Sequence, residues 1–251
     1  MKLIRFQKKK QIHYGILDND EVTLVDNFNS MKVSNEPKLK AEEINILLPV
    51  NPSKILCVGL NYKTHAEEVN LSILKEPVIF MKPRTSLIKS RENIIYPKVS
   101  SRVDYEGELA VVIKKTGKNI TKDNVKDYIL GYICVNDVTA RDLQPLDGQW
   151  IIAKGFDTFL PCSQWIETEV DINKATVTTL LNGEIKQKAS CSDMIFSVED
   201  IIIYCSNYMT LEEGDIILTG TPSGIGPMNV GDVVQVIIDG VGSCVNKIVA
   251  E

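Results

Sequence analysis

The apolar positions of this chain fall mostly in short runs, many with a two-residue period, cut by Gly, Pro, Asn and Asp. That is the pattern of strands joined by turns. "KLIRFQ", "IHYGIL" and "EVTLVD" open the chain as three such runs, separated by "KKK" and "DNDE". "NEPKLKAEEINILLP" is Lys-rich and irregular, and "NPSKILCVGLNY" then starts a second unit with a buried strand from Ile55 to Val58. The Pro49 to Pro52 stretch marks the boundary, giving a small N-terminal β-rich domain over 1–50 and a larger domain over 51–251. In the larger part "PVIFMK", "ELAVVIKK", "ILGYICVND", "TVTTLLNGEIKQ", "DIILTG" and "DVVQVIIDGVGS" predict strands. Asn182-Gly183 inside "LLNGEI" predicts a two-residue hairpin turn. Two helices are expected, from about Lys63 to Val69 and from about Ser197 to Met209, the second opened by Ser197, Glu199 and Asp200. The fold class is mostly β, of the α+β kind.

Composition narrows the function classes. The chain has 251 residues, 44% hydrophobic and 24% charged, with a net charge of -5 and charges of both signs interspersed. The single basic cluster, Lys8 to Lys10, reads as a solvated turn, and a nucleic-acid partner is not expected without a basic face. No segment approaches the ~18 apolar residues of a membrane helix, and no signal-peptide core follows the first charges, so a cytoplasmic protein is expected. The six cysteines are scattered without a Cys-x-x-Cys pair, which disfavours thiolate metal sites and a disulfide framework.

The stretch "SRVDYEGELAVVI" carries the first chemistry. Asp104, Glu106 and Glu108 share one face if the strand is continuous, and both faces turn apolar beyond Glu108, as at a strand entering a core. Carboxylates gathered there repel one another unless a cation lies between them. Taken alone, Glu-x-Glu reads as surface acids. A second acid, Asp137, ends the buried run "YILGYICVND", and two glutamates with an aspartate suit Mg²⁺ or Mn²⁺ better than zinc.

Three further features are weaker. Lys154, in apolar and aromatic "GQWIIAKGFDTFLPC", either faces an anion or snorkels to water, and its neighbours Trp150, Phe156 and Phe159 favour the anion. His65 and Glu68, three apart in "GLNYKTHAEEV", fit a carboxylate-oriented base, although spacing alone reads better as a surface pair. "TGTPSGIG" lacks the ending of a phosphate-binding loop and reads as a tight turn, one able to offer backbone amides and the Thr221 hydroxyl to an anion.

Together and in this order, "KILCVGLNYKTHAEE", "PVIFMKPRTSLI", "VDYEGELAVVI", "GYICVNDVTARDLQ", "WIIAKGFDTF" and "SDMIFSVEDIIIYCSNYMTLEEGDIILTGTPSGIG" resemble the fumarylacetoacetate hydrolase family. The resemblance implies a mixed β-sandwich or roll, a homodimer, and bound Mg²⁺ or Mn²⁺. It implies action on 2-oxo or 2-hydroxy-enoic dicarbonyl acids, such as the acylpyruvates of aromatic catabolism. Position by position, it makes Glu106, Glu108 and Asp137 the metal ligands, Lys154 the lysine beside the metal, and His65 with Glu68 the water-activating pair. Gly220 and Thr221 in "TGTP" become substrate contacts, and Lys82 and Gln144 line the pocket. Ser163-Gln164 stands where Gly-Pro is common, and Cys191 where threonine is usual, which leaves the acyl-side pocket and the substrate open. The expected reaction is metal-assisted C–C hydrolysis of an acylpyruvate-like acid. Its rivals are isomerisation of a 2-hydroxyhepta-2,4-diene-1,7-dioate, decarboxylation of an oxaloacetate-like acid, and a non-catalytic metal-stabilised binding module.

Overall fold

The computed structural model of the chain describes residues 1–68, 75–145 and 149–251. Its described strands form a 13-stranded mixed sheet, a five-stranded sheet and a three-stranded sheet. The centre of the large sheet is the strand Gly107–Ile113, which pairs antiparallel with Ile129–Asn136 on one side and with Ile216–Leu218 on the other. Ile216–Leu218 in turn runs parallel to Ile55–Gly59, so the buried run expected at Ile55 lies beside the central strands. Every residue of Gly107–Ile113 is buried. Leu109, Val111 and Ile113 meet Val177, Val236 and Ile238 of the five-stranded sheet, while Ala110 and Val112 enter a second cluster with Ile133, Val135 and Leu218. A strand buried on both faces is why the apolar run has no polar alternation.

The three runs that open the chain are strands, as their pattern predicts, Lys2–Lys8, Gln11–Asp18 and Glu21–Val25, and they pair as an antiparallel meander. They extend the large sheet through Lys2↔Glu167 and Leu3↔Ile166. Ile4, Phe6, Val22, Leu24 and Leu39 keep a small cluster of their own, whereas Leu3, Phe28 and Val50 belong to the central one. Asn182 and Gly183, with φ of 53° and 85°, turn between Thr176–Leu181 and Glu184–Ser190, which is the left-handed geometry an Asn-Gly hairpin needs. The helix Val198–Tyr208 starts where its sequence predicts: Ser197 Oγ accepts from Asp200 N–H and Asp200 Oδ2 accepts from Ser197 N–H. The helix Lys63–Glu68 matches the other prediction, whose last residue, Val69, lies outside the described residues.

One expectation needs correction. The strand was read as continuous from Asp104 to Glu108, but it breaks at Glu106. Val103–Tyr105 belongs to the three-stranded sheet and Gly107–Ile113 to the large one. Two elements not read from the sequence are the short helix Ile151–Lys154, which carries a cavity residue, and the long final strand Gly242–Ala250. All six cysteines are buried and free, and no described helix is long and apolar enough to cross a membrane.

Candidate active site

Three carboxylates converge where two neighbouring core strands meet. Gly107 pairs with Asn136, so Glu106 and Asp137 are the residues just outside that register on opposite strands. Asp137 N–H donates to Glu106 O at 2.8 Å, and Glu106 N–H donates to Asn136 Oδ1 at 2.9 Å. This backbone lock places ligand oxygens of Glu106, Glu108 and Asp137 within 4.8 Å of one another, with all three residues buried. Asp104 is not in this group. It is held by Arg102 at 2.9 and 3.1 Å and by Arg141 Nε at 2.8 Å.

Buried charges require partners, and here they are unequally shared. Lys154 Nζ donates to Glu106 at 2.7 Å and to Asp137 at 2.8 Å. Burial alone would depress the Lys154 ammonium, but Asp137 and Glu106 raise it above its ordinary range. Burial would likewise raise Glu106, yet Lys154 and Arg141 hold it well below the usual carboxylate range. Among the described residues Glu108 has no salt-bridge partner. Its Oε2 accepts Gly220 N–H at 2.7 Å, and burial, Asp137 and Glu106 push its carboxyl well above the usual range. Three hard oxygen donors, one of them buried without a counter-charge, fit a divalent cation of the Mg²⁺ or Mn²⁺ kind, with Glu106, Glu108 and Asp137 as its holders.

These carboxylates form one wall of a cavity of about 360 Å³. Lys154, Arg141, Gln144 and Thr221 continue its polar side, Phe80 and Trp150 supply an aromatic side, and His65 faces them. His65 Nδ1 lies 2.9 Å from Glu68 Oε2, and the other Glu68 oxygen accepts Gly224 N–H at 2.9 Å. Since an ionised carboxylate only accepts, Nδ1 carries the proton and Nε2 is the basic nitrogen. His65 is buried while Glu68 is exposed, so the pair joins the cavity to the surface.

Two expected pocket residues lie elsewhere. Lys82 is not among the lining residues. It is fully enclosed beneath Asp137, donating to Asp137 Oδ1 at 2.6 Å and to Val138 O at 3.1 Å, and burial lowers its ammonium. Gly220 gives its amide to Glu108 rather than to the cavity wall. Thr221 does line the cavity, but its hydroxyl donates to Gly107 O at 3.0 Å and accepts from Gln187 Nε2 at 2.8 Å, so its proton is already committed. Arg141 was missed although the sequence contains its signal: it is the nearest cation after Asp137, and clustered acids require one. Gln187, which also accepts Gly107 N–H at 3.0 Å, carries no such signal because its partners are 80 and 34 residues away.

The model of the fumarylacetoacetate hydrolase C-terminal family matches residues 54–249. The chain belongs to that family. A second model, the Rv2993c-like N-terminal family, matches residues 1–49. Among relatives, the mitochondrial oxaloacetate tautomerase Fahd2a of Rattus norvegicus is 40% identical over 85% of this chain and 72% of that protein. Among solved structures, 5-carboxymethyl-2-hydroxymuconate delta-isomerase from Mycobacterium smegmatis superposes with a TM-score of 0.92 at 33% identity, covering 100% of each chain. Maleylpyruvate hydrolase from Sphingobium sp. SYK-6, solved with manganese(II) and pyruvate, has a TM-score of 0.80 at 26% identity, covering 100% of this chain and 99% of that one. The chain is an enzyme of a family whose members include hydrolases, isomerases and tautomerases.

Proposed function

We propose that this enzyme transfers protons at the carbon beside the 2-oxo group of a small dicarboxylic or acylpyruvate-type acid, with a divalent cation as cofactor. The observation that carries this reading is the opening of the carboxylate triad and of His65, held from behind by Glu68, onto one cavity. A cation held by Glu106, Glu108 and Asp137 would supply Lewis-acid polarisation of the 2-oxo group. Lys154 adds a fixed positive charge on the same wall, and Gln144, whose Oε1 is taken by Arg141, keeps its amide N–H groups for a substrate oxygen. His65, oriented by Glu68, takes and returns the proton through Nε2, a role worth about 10²–10⁴-fold in rate.

Charge supports an acidic substrate. The carboxylates of Asp104, Glu106, Glu108 and Asp137 are matched in number by Arg102, Arg141, Lys82 and Lys154. With all of these ionised, a divalent cation leaves two unbalanced positive charges, which a dicarboxylate neutralises. Similarity to a protein named as an oxaloacetate tautomerase and to a structure named as a delta-isomerase supports this order of preference.

C–C hydrolysis of an acylpyruvate is the second reading. It is favoured by the pairing of His65 with a carboxylate, which orients the imidazole to take a proton from a water molecule. Oxaloacetate and acetylpyruvate in D₂O with Mg²⁺ separate the two. Proton transfer deuterates the carbon beside the 2-oxo group and leaves the carbon skeleton intact, whereas hydrolysis splits acetylpyruvate into pyruvate and acetate, and oxaloacetate into oxalate and acetate. His65→Ala should lose both while still binding Mg²⁺; an active His65→Ala enzyme overturns the proposal.

A further inference from the structure

We propose that Tyr105 is a positioning residue for the proton carrier, acting through Gly224 and Glu68 on His65. Tyr105 Oη donates to Gly224 O at 3.0 Å, Gly224 N–H donates to Glu68 Oε1 at 2.9 Å, and Glu68 Oε2 meets His65 Nδ1 at 2.9 Å. The phenol is buried, and a Cβ at Gly226 would fall 2.9 Å from Oη, so the hydroxyl is seated against the loop at two points.

The need for such a pin follows from the loop itself. Gly224 adopts φ +96°, a glycine conformation, within Ser-Gly-Ile-Gly, where backbone freedom is greatest. A Cβ there would lie 2.2 Å from Lys186 O, so the position also demands close backbone approach. Backbone pairing of Tyr105 with Gly226 already holds the far end of this loop, and the phenol adds the hydrogen bond at Gly224 itself, whose amide holds Glu68. The anchor works by position rather than by polarisation, because the Gly224 carbonyl and the Gly224 amide belong to successive peptide groups. The phenol remains a neutral donor: burial, Asp104 and Glu68 push it up to about 12.

The location of Tyr105 gives the arrangement a purpose. It is the last residue of Val103–Tyr105 and the neighbour of Glu106. Asp104 on the same strand fixes Arg141, which reaches Glu106. One three-residue strand thus sets the cation holders on one side and the base on the other, and a base misplaced by an ångström loses rate steeply.

The inference rests on the reading of His65 as proton carrier, and the test separates the two. The chain has two histidines, so a His13→Gln background leaves a single imidazole to follow by ¹⁵N NMR. Tyr105→Phe in the Mg²⁺-loaded full chain should reduce the Nδ1–H tautomer of His65 and lower kcat for deuterium exchange by about 10-fold, with KM and Mg²⁺ affinity unchanged. An unchanged tautomer with unchanged kcat overturns the inference. A fall in kcat matched by weaker Mg²⁺ binding also overturns it, because Tyr105 would then act through Glu106. A changed tautomer with unchanged turnover supports the positioning path and sinks the proton-carrier role of His65.

Discussion

Gly107 faces Thr179 so closely that a Cβ on Gly107 would lie 2.1 Å from Thr179 Oγ1 and 3.0 Å from Val236 Cγ1. The glycine between the two glutamates is therefore a packing requirement. Alternation turns Glu106 and Glu108 to the cavity and leaves position 107 pressed on the second sheet. Gly107→Ala should destabilise by about 1–3 kcal/mol, the usual result of overpacking a close-packed interior. Differential scanning calorimetry would read this as a Tm several degrees lower, and adding Thr179→Ala should recover part of the loss. Equal Tm values for Gly107→Ala and the parent would show that the sheets separate freely at this point.

Much of this arrangement is legible in the sequence alone. Glu108 and Asp137 could be found because each sits at the end of an unbroken apolar run, a local signal. The helix beginning at Ser197 was equally local, since its cap and Asp200 are three residues apart. The break at Glu106 was not legible, because it depends on Val103–Tyr105 pairing with Pro227 and Ala140, far along the chain. Lys82 was misplaced for the same reason: nothing near "FMKP" indicates that Asp137 lies above it. The final strand was missed because Asn246 and Lys247 interrupt its apolar positions, while its register is set by Val233–Ile238 and Ile94–Tyr96.

Lys154 joins Glu106 and Asp137, and removing it leaves two buried carboxylates short of a counter-charge. Breaking a buried pair from one side costs about 3–5 kcal/mol. Lys154→Met should therefore be strongly destabilised in chelator and recover most of that loss in saturating Mg²⁺, which replaces the missing positive charge. Turnover should not recover with it. Thermal melts in both conditions test this, and equal destabilisation with and without Mg²⁺ would contradict a cation bound beside Lys154.

Lys82 gives a contrasting case. Its ammonium is enclosed between Asp137 and Val138 O, out of the cavity wall. Lys82→Met should lower stability by about 3 kcal/mol through the unpaired Asp137 oxygen, while KM stays within a few-fold of the parent. A large rise in KM without loss of Tm would return Lys82 to the substrate pocket.

Glu108 separates the cost of a buried acid from the value of a cation. Without a cation its carboxyl is driven toward the neutral form by burial and by Asp137 and Glu106, and Gly220 N–H donates to its Oε2. Glutamine is nearly isosteric with that neutral acid and keeps an acceptor for the amide. In chelator, Glu108→Gln should therefore melt close to the parent. In Mg²⁺ the two should part. A ligand at 100 times its Kd stabilises the parent by about 2.7 kcal/mol, and the variant, lacking one of three anionic holders, should gain far less. Titrating Mg²⁺ against Tm for both proteins reads this difference directly. If both gained equally, the cation would be bound without Glu108, and the carboxylate triad would not be its site.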